Sequence, residues 1–283
     1  MTKLLYCDFK RVLKDKLFLV LCIVGAVFAL TTPLLYAIIF SGFETMTGGG
    51  ESVTDIYAMM GISIDAKTMF FNGFSLGNNF GLIAPVLLSI VLCKDFSYGT
   101  IRNKIISGHS RVSIFLSTYV VCFVTLFCIM FIGAALSLVV GLCFFPFAVS
   151  EGSASLVGYC FGSLGLEVLL FLCISALITF LCTKAKNSGL AVVLYVAVVL
   201  VMTLVGSILQ IGEVALVLDP EKEIWLKLVQ FIEKINIFGY GTIIGVGESY
   251  DLKTALCCAI TPILGTAGLL ALGIFSFKRK DIK

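Results

Sequence analysis

Two places in this chain hold residue types able to do chemistry. One is the polar stretch from Lys94 to Arg111, which carries one acid, four bases, several hydroxyls and the chain's one histidine, His109. The other is Glu167, a lone acid inside a long apolar run, with Asn78 and Asn79 as weaker polar points in another. A single histidine builds neither a zinc site nor a histidine-based triad. There is no G-x-x-x-x-G-K-[ST] to cradle a nucleotide, and Gly239-Tyr240-Gly241-Thr242-Ile243-Ile244-Gly245 has the wrong spacing for a dinucleotide fingerprint. The 11 cysteines are scattered without a CxxC pair or Cys/His ligand spacing, which reads as reduced thiols in apolar surroundings. The residues therefore predict no enzyme, no metal or cofactor held by this chain, and no nucleic-acid partner. An acid at mid-span costs about 2.5–3.5 kcal/mol on insertion scales, so Glu167 belongs in a cavity or a polar helix contact. It is either part of a pathway or a protonated or hydrogen-bonded structural acid.

What must position these residues is a set of membrane helices. Five uncharged runs, 17–43, 68–93, 112–150, 187–212 and 254–277, are long enough to cross a bilayer, and a sixth, 152–183, is interrupted only by Glu167. A helix needs roughly 20 apolar residues to do so. The composition agrees, with 59% hydrophobic residues, 13% charged residues and a mean hydropathy of +1.10. The fold predicted is an all-α integral membrane protein of six transmembrane helices, about 17–40, 70–93, 113–140, 155–183, 188–211 and 254–277, forming one domain over 1–283. With six spans, 15 of the 20 Lys and Arg fall on the side of the two termini and of loops 94–111 and 184–187. The opposite side holds 5, with 12 of the 17 acids. Positive-inside bias then puts both termini in the cytoplasm. Reading 112–150 as two spans would move Lys184, Lys186 and the terminal bases outside and destroy that bias. A single helix over about 113–140 is expected instead, with Gly141 to Ser150 at the outer interface and Pro146 stopping the helix. The first apolar run lacks a convincing cleavage site and is expected to remain as the first span.

The segments between spans carry their own patterns. Residues 1–16 read as a cytoplasmic interfacial helix, with Lys3, Lys10, Arg11 and Lys14 on one side and Leu4, Leu5, Phe9, Val12 and Leu13 on the other. Its basic face suits lipid phosphates or a protein partner, and simple topology-setting charge is the plainer alternative. In loop 94–111, Thr100 is expected to cap a short helix that points Tyr98, Ile101 and Ile105 one way, flanked by Arg102 and Lys104 and bracketed by Gly99 and Gly108. Its apolar side would cover either a partner or the membrane surface. Within outer loop 213–253, residues 219–237 predict an amphipathic helix opened by Asp219-Pro220-Glu221, with Leu226 the one misfit. Loop 41–69, with Gly48-Gly49-Gly50, reads as flexible and polar. Gly73, Gly77 and Gly81, then Gly133, Ser137 and Gly141, and Gly158 with Gly162, place small residues four apart and mark helix-packing faces, within the chain or with a second copy.

The layout resembles the ABC-2-type permeases, the transmembrane subunits of ATP-binding-cassette exporters. The most specific stretch is Asp95-Phe96-Ser97-Tyr98-Gly99-Thr100-Ile101-Arg102-Asn103-Lys104-Ile105, continuing to Ser110-Arg111. It is similar to the family's acid-x-x-x-Gly-Thr helix and Ser-Arg entry to the third span, although Gly108-His109 stands where many members have proline. The resemblance implies that Asp95, Tyr98, Gly99, Thr100, Ile101, Arg102, Lys104 and Ile105 couple to the ATPase. It further implies a separate cytoplasmic ABC ATPase carrying ATP and Mg, a second permease copy or a related permease, and a multi-pass location in the cell membrane. Small permeases of this look serve bacteriocin-immunity and peptide-antibiotic-resistance exporters, which implies an amphipathic cargo. The alternative, an ATP-independent secondary transporter, predicts internal repeats and several intramembrane charges.

Overall fold

The computed structural model describes residues 2–46, 66–75, 79–97, 99–145, 153–185, 187–217, 223–233, 236–237 and 252–279. Among them there are ten main helices and no strand: α1 (Thr2–Lys14), α2 (Lys16–Met46), α3 (Ala66–Phe74), α4 (Asn79–Ser97), α5 (Thr100–Ile106), α6 (Arg111–Phe144), α7 (Ser153–Lys184), α8 (Ser188–Val217), α9 (Glu223–Glu233) and α10 (Leu252–Arg279). Five segments, in α2, α6, α7, α8 and α10, are long and apolar enough to cross a membrane. Gly81–Phe96 meets that measure only together with Thr100–Ile106, across a bend of 52°. The chain is a multi-pass membrane protein by the length and composition of these helices.

Residues 112–144 form part of one unbroken helix, which continues past the expected end at 140 to Phe144. The expected span 70–93 is instead two helices, α3 and α4. Glycine and asparagine explain why: Asn72, Gly73, Gly77, Asn78, Asn79 and Gly81 crowd one stretch, and both residue types favour helix ends over helix interiors. The loop expected at 41–69 is helical at both ends, where α2 runs to Met46 and α3 begins at Ala66, and residues 47–65 lie outside the described residues. Gly48-Gly49-Gly50, Asp219-Pro220-Glu221 and Pro146 lie outside the described residues. Within the expected amphipathic helix 219–237, the described residues form α9 over Glu223–Glu233, which packs on α8. Its expected misfit Leu226 is half-buried with Val229, whereas Ile224, Trp225, Leu228, Phe231 and Ile232 are exposed. The face α9 leaves open is thus large and apolar, as an interfacial helix requires.

The central helix is α7, with 61% of its apolar window buried against 11% for α8 and for α10. It packs on α4, α6, α8 and α10. Phe171 at its middle meets Phe74 of α3 edge-on at 5.0 Å between ring centroids, and Phe74 meets Phe127 of α6 at 6.0 Å. The small-residue face of α6 receives α3. A Cβ added at Gly73 would lie 2.9 Å from the Ala134 Cα, and one at Gly141 would lie 3.1 Å from the Met69 side chain. Ser137, between them on α6, donates its hydroxyl to the Ala29 carbonyl of α2 at 3.1 Å, so the same face also pins α2. This contact is within one chain. Gly77 lies outside the described residues, Gly81 is buried on α4, and Gly162 on α7 is exposed, so the face predicted at Gly158 and Gly162 is not covered within the chain at Gly162.

One end of the bundle gathers the charged segments. Leu4 of α1, Ile101 of α5, Ile114 and Phe115 of α6, and Phe277 of α10 form a single buried cluster. Lys184 at the end of α7 lines the same groove as Arg279 at the end of α10. The first helix, α5, the start of α6 and the ends of α7 and α10 therefore share this basic end.

Candidate functional site

The site begins with how α5 is held. Its N-cap is Gly99, not Thr100, and Gly99 has φ 71°, a left-handed conformation that a side chain would strain. Thr100 becomes the first helical residue. At the other end Gly108 has φ 90° and its N–H donates to the Ile105 carbonyl at 3.0 Å, while His109 N–H donates to the Lys104 carbonyl at 3.2 Å. These two bonds are a Schellman closure, which satisfies carbonyls the helix end would leave open. Ser110 then caps α6, accepting the Ser113 N–H at 3.2 Å. The expected bracketing glycines thus stop α5 in two different ways.

The next residue, Arg111, closes the ring of elements. Its guanidinium donates to the Lys278 carbonyl at 2.8 Å and to the Phe277 carbonyl at 3.5 Å, at the C-terminus of α10. A cation on the last carbonyls of a helix satisfies orphan acceptors and complements the negative end of the dipole. The Ser-Arg pair therefore does two jobs: Ser110 starts one helix and Arg111 ties down another.

Beneath α5 lies a balanced charge network. Asp95, at the end of α4, is buried and pairs with Arg11 of α1 and with Lys104 of α5 at 3.3 Å. Lys104 Nζ is also 2.7 Å from Oδ1 of Asp8 on α1. The Ser117 hydroxyl of α6 donates to Oδ2 of Asp8 at 2.7 Å. Two carboxylates and two cations sum to zero, which is what allows them to be withdrawn from water. Four helices meet there. A second pair stands nearby, with Lys94 Nζ 2.7 and 2.9 Å from the two oxygens of Asp15. Asp15 also accepts the Leu17 N–H at 3.0 Å and so caps α2. Burial opposes ionisation of the Asp15 carboxyl, but the Lys94 hydrogen bond, the Leu17 N–H and the charges of Lys94 and Arg11 outweigh it and hold the carboxyl below its usual value.

The apolar side of α5 faces inward, against expectation. Ile101 is 5% exposed, buried with Leu4, Phe115 and Phe277, and Ile105 is half-buried against the same cluster. The reason is α1, whose apolar stripe docks on the bundle and covers these isoleucines. Leu4, Asp8 and Val12 are buried, although Leu13, assigned to the same stripe, is 60% exposed. Arg102, Asn103, Ile106 and Ser107 are exposed on the outer side of α5, and Ile106 is its open apolar residue at 74%. Tyr98 lies outside the described residues. Reasoning from sequence missed Asp8, Ser117 and Ile106. The available signal for Asp8 was its spacing of four from both Leu4 and Val12, which puts a charge on an apolar stripe where it needs a partner.

Glu167 is apart from this site, buried at 1% exposure within α7, one turn from buried Ser163. That matches an acid kept from lipid. Asn79 opens α4, and Asn78 lies outside the described residues.

The model of a family described as "Protein of unknown function (DUF2705)" matches residues 34–283, which takes in α3 to α10 and leaves out α1, Asp15 and the first half of α2. No curated protein matches the chain.

Proposed function

This chain belongs to the DUF2705 family, and from its basic end we propose that it is the transmembrane permease subunit of an ABC exporter, driven by ATP hydrolysed on a separate cytoplasmic ATPase. The observation that carries this reading is the two-sidedness of α5. Ile101, Lys104 and Ile105 are turned into the bundle, while Arg102, Asn103 and Ile106 on the opposite side are open. An ATPase outside the membrane works on helices inside it only through an element rigid on its inner side and available on its outer side. A short helix closed by two left-handed glycines and held by ion pairs to α1 and α4 meets that condition.

In this reading the basic end faces the cytoplasm, as the positive-inside bias requires, and the chain crosses the cell membrane six times. α3 and α4 together form the second crossing. A second copy or a related permease completes the transporter. Glu167 lines the cargo path, and the cargo is amphipathic, of the peptide-antibiotic kind.

The docking residue becomes Ile106. Burying such a side chain in a partner is worth about 1.5–3 kcal/mol, and a carboxylate in its place adds the cost of an unpaired charge in a desolvated contact. The test is co-expression of the full chain with its ABC ATPase and purification in mild detergent. Ile106→Asp should remain folded in the membrane while its ATPase no longer co-purifies or no longer drives transport. Ile101→Asp, by contrast, should destabilise the permease itself. Transport by the purified chain with no ATPase present would replace this reading with an ATP-independent secondary transporter.

A further inference from the structure

The ends of α7 and α10 form a groove that the coupling reading does not use. Each helix closes on an aromatic residue four positions before a cation, Phe180 with Lys184 and Phe275 with Arg279. Four residues is about one turn, so each cation lies over its own ring. Lys184 Nζ is 5.9 Å from the Phe180 centroid, and the Arg279 guanidinium carbon is 4.1 Å from that of Phe275. Between them is an open cleft of about 440 Å³, completed by Thr183, Leu272 and Ser276. Leu272 and Phe275 are 59% and 55% exposed, so the apolar wall is open to the side.

Cations at helix C-termini have a plain explanation, since they complement the helix dipoles. The magnitudes leave a surplus: Lys184 and Arg279 carry two full charges against about half a charge at each helix end, and Arg111 already serves the end of α10, so at least about one positive charge remains. Among the described residues no carboxylate lies within ion-pair distance of Lys184 or Arg279.

We propose that this groove binds an anionic phospholipid, with the phosphate between Lys184 and Arg279 and the first part of an acyl chain along Leu272 and Phe275. The order of groups carries the assignment. The cations sit at the ends of membrane-crossing helices, at the level of headgroups, and the apolar wall begins one turn deeper, at the level of acyl chains. A free phosphate would leave that wall uncovered, and a zwitterionic lipid would bring no net charge to the surplus. The hydroxyls of Thr183 and Ser276 provide additional polar groups beside a headgroup.

The test uses the purified full chain in detergent, titrated with dioctanoyl phosphatidylglycerol, dioctanoyl phosphatidylcholine and inorganic phosphate, with affinity read by thermophoresis. Phosphatidylglycerol should bind saturably and about tenfold or more tightly than either alternative. Lys184→Gln/Arg279→Gln should weaken it by about tenfold or more, Lys184→Arg/Arg279→Lys should retain most of it, and Lys16→Gln/Lys253→Gln, which removes as much charge from exposed positions at the starts of α2 and α10, should leave it unchanged. Equal binding of phosphatidylcholine, equal binding of inorganic phosphate, or an equal loss in the Lys16 and Lys253 control would overturn the proposal.

Discussion

Lys104 on α5 is held 2.7 Å from the Asp8 carboxylate on α1, and its ammonium also reaches Asp95 at 3.3 Å. Through this one side chain the N-terminal helix and the end of α4 grip the short helix between them. Removing one member of a buried ion pair leaves the other uncompensated, at a cost of about 3–5 kcal/mol. Lys104→Ala and Asp8→Ala should each lower the melting temperature of the detergent-solubilised chain. The double variant should lose less than the sum, by about 1–3 kcal/mol of coupling. A Lys104→Ala loss no larger than that of Lys10→Ala, which removes an exposed cation, would show that the pair does not hold α5.

Asp15 predicts a pH dependence of defined sign. Its folded carboxyl lies below the ordinary value of 3.8, so its contribution is complete above that value and disappears as pH falls through the lowered folded value. Asn caps a helix about as well as Asp, so Asp15→Asn keeps the α2 cap and removes the charge. The variant should be less stable than the parent near neutral pH, and the difference should shrink as the pH is taken below about 4. Thermal unfolding across that range is the measurement, and a constant difference would show that the Lys94 pairing is not its source.

Gly73 predicts a steric contrast. Alanine there would press on the Ala134 backbone at 2.9 Å, and since backbone cannot swing aside, α3 must move off α6. Overpacking of this kind costs about 1–3 kcal/mol. Gly165, on α7, would meet nothing within 4 Å, so Gly165→Ala should be neutral or stabilising by about 0.5–1 kcal/mol. Melting temperatures of the two variants in detergent should move in opposite directions, or the second should not move.

Sidedness follows from the 15-to-5 division of basic residues. In a chain whose native cysteines have been replaced, cysteine at Ser52 or Ile224 should react with an impermeant thiol reagent added outside sealed cells. Cysteine at Ser107 should not, although it is exposed on the protein surface. External labelling of Ser107 would reverse or break the six-crossing arrangement.

If Glu167 belongs to the cargo path, Glu167→Gln should preserve assembly with the ATPase and alter substrate-dependent ATP turnover. Unchanged turnover, or loss of the chain from the membrane, would assign the residue to structure.

The apolar runs by themselves determined the helical membrane class and most helix positions, because in hydrocarbon the backbone must satisfy its own hydrogen bonds and helices do so locally. Gly99, Gly108 and the Ser110-Arg111 pair likewise marked the limits of α5, since left-handed turns and caps depend on residue type over a few positions. What only the tertiary structure decided is which side of α5 is free. Ile101 and Ile106 are the same residue type in the same short helix, one 5% and the other 74% exposed. The difference is made by α1 and by Phe277 of α10, which are distant in sequence and adjacent in space. For the same reason Asp8, read locally as one acid in a basic helix, acquired its meaning only when Lys104 and Ser117 closed around it.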